Sequence, residues 1–249
     1  MRTLILHVGA HKTGSTAIQV FLYKYRNLLQ NFGLLYWIEE EITKKGMYGQ
    51  HNLAWYFTNR THVFSLDLLE RMYFNFMNQI SNKNLDVVIS SEEFMFLNET
   101  SAERLIKDFS PFFDKIYLII YVRPQVELVL SLYQTYVIHY KGTLDIENWF
   151  KGNLKIVDYY NLAKIFQGFN CEVICKPYIR NQFPNNDIVF DFIDTINQIL
   201  RKNVAVPEDY RSKDLNISVP DFITLMVKYY NSQPSKNKLL PVLRKLGCY

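Results

Sequence analysis

The chain has 249 residues, 49% of them hydrophobic, and its 28 Lys and Arg against 24 Asp and Glu leave a formal net charge of +4. That length suits one domain, 1–249, with 204–249 as a helical and loop extension, and the mild charge without any long basic run argues against nucleic acid and suits small anions. Cys171, Cys175 and Cys248 are too few for a disulfide framework, and no Cys or His cluster has zinc spacing, so no metal is expected.

Leu4, Ile5, Leu6 and Val8 open the chain as one buried strand. Gly9 and Gly14 bracket a tight turn, and Ser15 and Thr16 start a helix expected over Gly14 to Asn31. Ala17, Ile18, Phe21, Leu22, Tyr25, Leu28 and Leu29 give that helix one apolar face, and Gly33 ends it. A strand, a glycine-bounded loop and a helix start together make an anion cradle, because loop N–H groups and the positive end of the helix dipole converge on one space. Lys12 adds a full charge there, and Thr13, Ser15 and Thr16 add hydroxyls.

A surface segment with a short strand at Leu35 to Ile38 follows, then a short helix from His51 and a longer one over Asp67 to Ile80. Asp86 to Ser90 (DVVIS) reads as a short buried strand ending in Ser90, Ser91, Glu92 and Glu93. Polar groups at the carboxyl end of such a strand stand where open α/β sheets put their sites. A helix over Glu99 to Phe113 leads to Lys115–Val122 (KIYLIIYV), an apolar and β-branched strand.

Arg123 and Pro124 follow, with Pro124 suited to the first position of a helix that runs to Tyr140. Val126, Val129, Leu130, Tyr133, Tyr136 and Val137 are its expected apolar stripe. A helix over Val157 to Phe169 precedes a strand over Cys171 to Cys175, then Lys176, Pro177 and Tyr178. Helices at Ile188 to Leu200 and near Pro220 to Tyr230, with a basic tail, complete the chain. The alternation implies an α/β, three-layer fold with a mostly parallel central sheet. No apolar stretch spans a bilayer and the first strand begins close to Met1, so the expectation is a cytoplasmic protein whose sequons at Asn59, Asn98 and Asn216 are chance matches.

The opening loop has the Gly9-to-Gly14 spacing of an ATP-type P-loop, but Ser15 stands where that loop keeps its lysine. The lysine has moved inside the loop, to Lys12, which disfavours a Mg-ATP kinase. Arg123 leaves the end of a buried strand, and Ser131 lies roughly 12 Å along the next helix, so the two can close on one phosphate. The competing reading is structural, with Arg123 capping a strand end and Ser131 tucked into a helix interface.

Together these motifs resemble the sulfotransferases that use 3′-phosphoadenylyl sulfate (PAPS). HKTGST, a later SSE and a strand ending in Lys176-Pro177-Tyr178 are most similar to the bacterial carbohydrate-type branch. The resemblance spans about residues 3 to 200. It implies a 5′-phosphosulfate cradle of His11, Lys12, Thr13, Gly14, Ser15 and Thr16. It likewise implies a 3′-phosphate site of Arg123 and Ser131, with Tyr178 against adenine. The family's C-terminal RKG-type loop has only a weak counterpart in Arg211, Ser212 and Lys213. The implied product is 3′,5′-ADP and the implied acceptor a glycan or glycolipid.

Sulfuryl transfer needs positioning and stabilisation of charge on the leaving phosphate, a role that falls to Lys12. A hydroxyl acceptor also needs a base. Glu92 leads, Glu93 is its rival on the opposite side of the strand end, and His51 is the third choice. Trp37, Tyr48 and Trp55 are candidates to stack on a sugar, against a plain packing role. Lys236, Lys238, Arg244 and Lys245 suit peripheral contact with an anionic lipid surface, or a solvated tail. Two rivals remain, a Mg-ATP P-loop kinase and a nucleotide-binding module without catalysis.

Overall fold

The first strand, β1 (Thr3–His7), is buried along its whole length because it feeds two cores at once. Leu4 and Leu6, with Val8 just beyond, enter one hydrophobic cluster, and Ile5 enters another. The two-residue period of a strand sends neighbouring side chains to opposite faces. The same split recurs in β3 (Asp86–Ser90) and β4 (Lys115–Val122). Val87, Ile89, Leu118 and Ile120 join Leu4, whereas Val88, Ile119 and Tyr121 join Ile5. With β2 (Leu34–Leu35) and β5 (Glu172–Pro177), these strands form a five-stranded sheet in the order β2-β3-β1-β4-β5. The computed structural model describes residues 1–210 and 221–232, and in it every strand pairing is parallel. The expected α/β fold is present, and its sheet is wholly parallel.

One face of the sheet is covered by α4 (His51–Thr58), α5 (Leu66–Ser81), α6 (Glu99–Phe109) and α9 (Tyr159–Gly168). On the other lie α1 (Ser15–Lys24), α2 (Arg26–Asn31) and α10 (Ile188–Leu200). Each helix start has a local cause. Ser65 accepts from Leu68 N to open α5, and Asp187 accepts from Val189 N to open α10. Asn98 and Ser101 cap each other's backbone at α6, which makes Asn98 a capping residue.

The expected first helix is two helices, because the backbone turns at Tyr25 (φ −102°, ψ 17°), whose ring packs on Phe21. The helix expected through Phe113 ends at Phe109 and passes into a 3₁₀ turn at Ser110–Phe112, where Pro111 cannot extend the α-helical ladder. The acidic segment after β2 carries a short helix, α3 (Glu40–Thr43). Strand β5 runs to Pro177, two residues past its expected end, and as an edge strand it is only partly buried. Cys171 and Cys175 are in no disulfide.

Two compact units are present, and the sheet with its helices forms the first, Met1–Arg123 with 158–210. The second contains α7 (Gln125–Ile138), α8 (Ile146–Lys151) and α11 (Asp221–Asn231). There Tyr133, Val137 and Ile138 pack against Ile223, Val227 and Tyr230, and Asn231 Nδ2 donates to Val137 O at 2.9 Å. Pro124 stands just outside α7 rather than at its first position. Val126 and Leu130, expected inward, are exposed, and Leu128 is buried in their place. Among the described residues no helix is long and apolar enough to cross a membrane. Arg211, Ser212, Lys213, Asn216, Lys236, Lys238, Arg244, Lys245 and Cys248 lie outside the described residues.

Candidate active site

Since neighbouring strands run the same way, the segments that follow β1, β3, β4 and β5 leave the sheet at one edge. This brings residues far apart in sequence to the same place: the loop 8–14, Ser91 with Glu92, Arg123 and Tyr178.

The loop holds its shape through its own backbone. Thr13 Oγ1 donates to Ala10 O at 2.6 Å, and Thr13 N donates to the same oxygen at 3.3 Å. Lys12 (φ 64°) and Gly14 (φ 75°) are both left-handed, and Gly14 is the N-cap of α1 with no side-chain cap. The first N–H groups of α1 are therefore left without a capping side chain, the geometry that receives an anion. Ser15 Oγ is buried and has no hydrogen-bond partner. Thr16 is exposed on the first turn, and Lys12 is half-buried above the turn. Burial, and then the neighbouring Arg123, pull the Lys12 pKa down, while Glu92 acts against both. Arg123 Nη1 donates to Lys12 O at 3.4 Å. Tyr178 flanks the loop, since a methyl on Gly14 would come within 3.3 Å of its ring. A loop with an orphaned buried hydroxyl, uncapped helix donors and two cations fits a phosphosulfate.

Within electrostatic reach of Lys12 stands Glu92, its side chain one-fifth exposed at the start of the 3₁₀ turn Glu92–Phe96. Gln19 Nε2 donates to Glu92 Oε2 at 2.8 Å, and His51 Nδ1 lies 4.0 Å from the same oxygen. Burial by itself would raise the Glu92 pKa. The charges available on His51 and His11, with the Gln19 hydrogen bond, outweigh it and hold the carboxyl below the usual range. His11 interacts with Glu92, Glu93, His51 and Lys12 together, and burial drives its own pKa down. His51 Nδ1 shares a hydrogen bond of 2.8 Å with Ser91 Oγ.

Glu93 points elsewhere. Its Oε2 accepts from Trp55 Nε1 at 3.0 Å and from Arg60 Nη1 at 2.6 Å. The three rings weighed for sugar stacking are packed: Trp55 is buried against His51, Tyr48 lies on Tyr23 and Trp37 on Phe76. Lys176 is held by Asp191 and Thr195 on α10. Ser131 lies on α7 in the second unit, with its carbonyl accepting from Thr135 Oγ1 at 3.1 Å. Among the described residues no group of three or more His, Cys, Asp or Glu is placed to hold a metal ion.

Two residues of this neighbourhood escaped the sequence reading. Gln19 is a polar interruption among Ile18, Phe21 and Leu22, four positions after Ser15, and that interruption was its only signal. Gln50 braces the end of β3 by accepting from Ser90 N at 2.8 Å and donating to Trp37 O at 3.0 Å.

No protein-family model matches the chain, and no curated protein sequence does. Among solved structures, a sulfotransferase from Alicyclobacillus acidocaldarius is similar with a TM-score of 0.53, covering 91% of this chain and 90% of that one. The chain shares the fold of that protein. At 16% identity the likeness is one of architecture, extending over nearly the full length of both chains. Within this shared fold, the loop after β1 carries Lys12 and the turn after β3 carries Glu92.

Proposed function

We propose that the chain is a PAPS-dependent sulfotransferase that moves a sulfuryl group to a hydroxyl or amine of a glycan or glycolipid. The observation that carries this reading is the cradle itself, with half-buried Lys12 beside uncapped α1 donors and Glu92 within electrostatic reach of that lysine. The N–H groups of the loop, His11, Lys12, Ser15 and Thr16 bind the 5′-phosphosulfate. As the acceptor oxygen bonds to sulfur, the bond from sulfur to the phosphate oxygen breaks, and Lys12 stabilises the charge left on that phosphate. Glu92 takes the acceptor's proton, with His51 as the competing base. Arg123 takes the 3′-phosphate, Ser131 is assigned to it by its sequence spacing, and Tyr178 packs on adenine. The likeness of fold supports the reading at the level of sulfuryl transfer.

A thermal-shift series tests the donor. Ligand at 100 times its dissociation constant stabilises by about 2.7 kcal/mol. The expected result is stabilisation by 3′,5′-ADP without magnesium and a much smaller response to 5′-ADP or Mg-ATP. An equal response to 5′-ADP or Mg-ATP overturns the PAPS reading in favour of a P-loop kinase. Labelled sulfate from PAPS, offered to an acceptor panel, should then move to one of its members. Tight 3′,5′-ADP binding without any transfer would leave a binding module.

A further inference from the structure

We propose that Gln19 is a positioning residue for the general base, its amide holding the Glu92 carboxylate from the helix that opens at the anion loop. The proposal rests on the reading that Glu92 receives the acceptor's proton.

The contact is direct, Gln19 Nε2 to Glu92 Oε2 at 2.8 Å, and it joins residues 73 apart in sequence. An ionised carboxylate only accepts hydrogen bonds, so the amide nitrogen is the group that faces it. Gln19 is 3% exposed and sits among Ile18, Phe21 and Leu22, where an unpaired amide would be costly. Four residues separate it from Ser15, so both project from one face of α1, roughly 6 Å apart along the axis. The helix that receives the anion thus also carries the donor that orients the base.

A second observation fixes the amide in place. Gly49 lies against it, and a methyl there would come within 2.7 Å of Gln19 Cδ and Nε2 and 2.8 Å of Ser90 O. Gly49 does not have a positive φ, so what it supplies is space. Its backbone lies directly against the Gln19 amide and leaves that amide no room to shift toward it.

The charged and titratable groups around Glu92 are His7 on β1, His11 and Lys12 in the loop, Tyr36 after β2 and His51 on α4. Glu93, the neighbour on its own turn, is engaged by Trp55 and Arg60. Of these groups, His7 and His11 have their pKa values lowered by burial. Gln19 has no proton to lose, so its amide remains a donor throughout the pH range in which Glu92 is ionised.

The test uses Gln19→Met, which keeps the volume and removes the donor, and Gln19→Glu, which sets a like charge beside Glu92. The first readout is the Glu92 carboxyl titration, followed by ¹³C NMR on the full chain, and it needs no acceptor. It should move to higher pH in Gln19→Met and further still in Gln19→Glu. With PAPS and an acceptor, kcat of Gln19→Met should fall about 10- to 100-fold, the scale of a lost hydrogen bond to a charged group. The acidic limb of its pH profile should rise with the titration, while the affinity for 3′,5′-ADP stays within about twofold. A Glu92 titration that does not move in variants still binding 3′,5′-ADP overturns the Gln19 assignment alone. Failure of the wild-type chain to bind 3′,5′-ADP overturns the sulfotransferase reading instead.

Discussion

Arg123 Nη1 donates to the carbonyl oxygen of Lys12 at 3.4 Å, tying the end of β4 to the left-handed residue of the β1–α1 loop. Two cations are thereby held at one loop, where burial and then Arg123 lower the Lys12 pKa while Glu92 raises it. The two should separate kinetically. Lys12→Ala should lower kcat by on the order of 10² to 10³, as loss of one preorganised donor does. Arg123→Ala should raise the dissociation constant of 3′,5′-ADP by about tenfold or more and lower kcat at saturating donor far less. Calorimetric titration with steady-state kinetics checks both, and the opposite pattern would exchange their roles.

Gly9 is fixed by space. A methyl on it would sit 1.8 Å from Ser15 Oγ, so the loop backbone passes directly over the first residue of α1. Gly9→Ala should therefore displace Ser15 and open the loop, at a stability cost of about 1 to 3 kcal/mol. Urea denaturation measures that cost. Binding of 3′,5′-ADP should be lost at temperatures where the variant is still folded, and retained binding would show that the cradle tolerates a shift of Ser15.

Stability should fall in acid because of His7. Its ring is fully buried on β1 between Tyr121 and Phe192, with Nδ1 and Ser90 Oγ 2.8 Å apart and Nε2 without a partner. Burial lowers its pKa from 6.5 to about 4, against a smaller raising effect of Glu92. Between these two values the unfolded chain binds the proton and the folded chain does not, so stability drops as pH falls through that window. The full drop from this group is about 3 kcal/mol. Urea denaturation at several pH values from about 7 to 4 should show this slope in the wild type and a shallower one in His7→Gln. Identical slopes would assign the acid sensitivity to other groups.

Much of this architecture was legible in the chain itself. Apolar runs at Leu4–Val8, Asp86–Ser90 and Lys115–Val122 are buried on both faces, which is the mark of parallel strands. The helix α7 was harder to read. Its sequence, QVELVLSLYQTYVI, is apolar on most of its circumference, so periodicity could not decide between Val126 with Leu130 and Leu128. The face that is buried is the one carrying Tyr133, Val137 and Ile138, which pack against α11, and that helix lies far along the chain.

The same division runs through the candidate site. The sequence by itself determined the strand, the glycine-bounded loop with Lys12 and the helix start, because strand burial, glycine spacing and helix capping are local properties. It ranked Glu92 ahead of Glu93 but could not show what holds either of them, because the two are adjacent and chemically alike. Tertiary structure separates their partners, since Trp55 and Arg60 hold Glu93 while Gln19 donates to Glu92. Those partners come from other elements, and only the parallel sheet, by delivering its loops to one edge, brings them within hydrogen-bond reach.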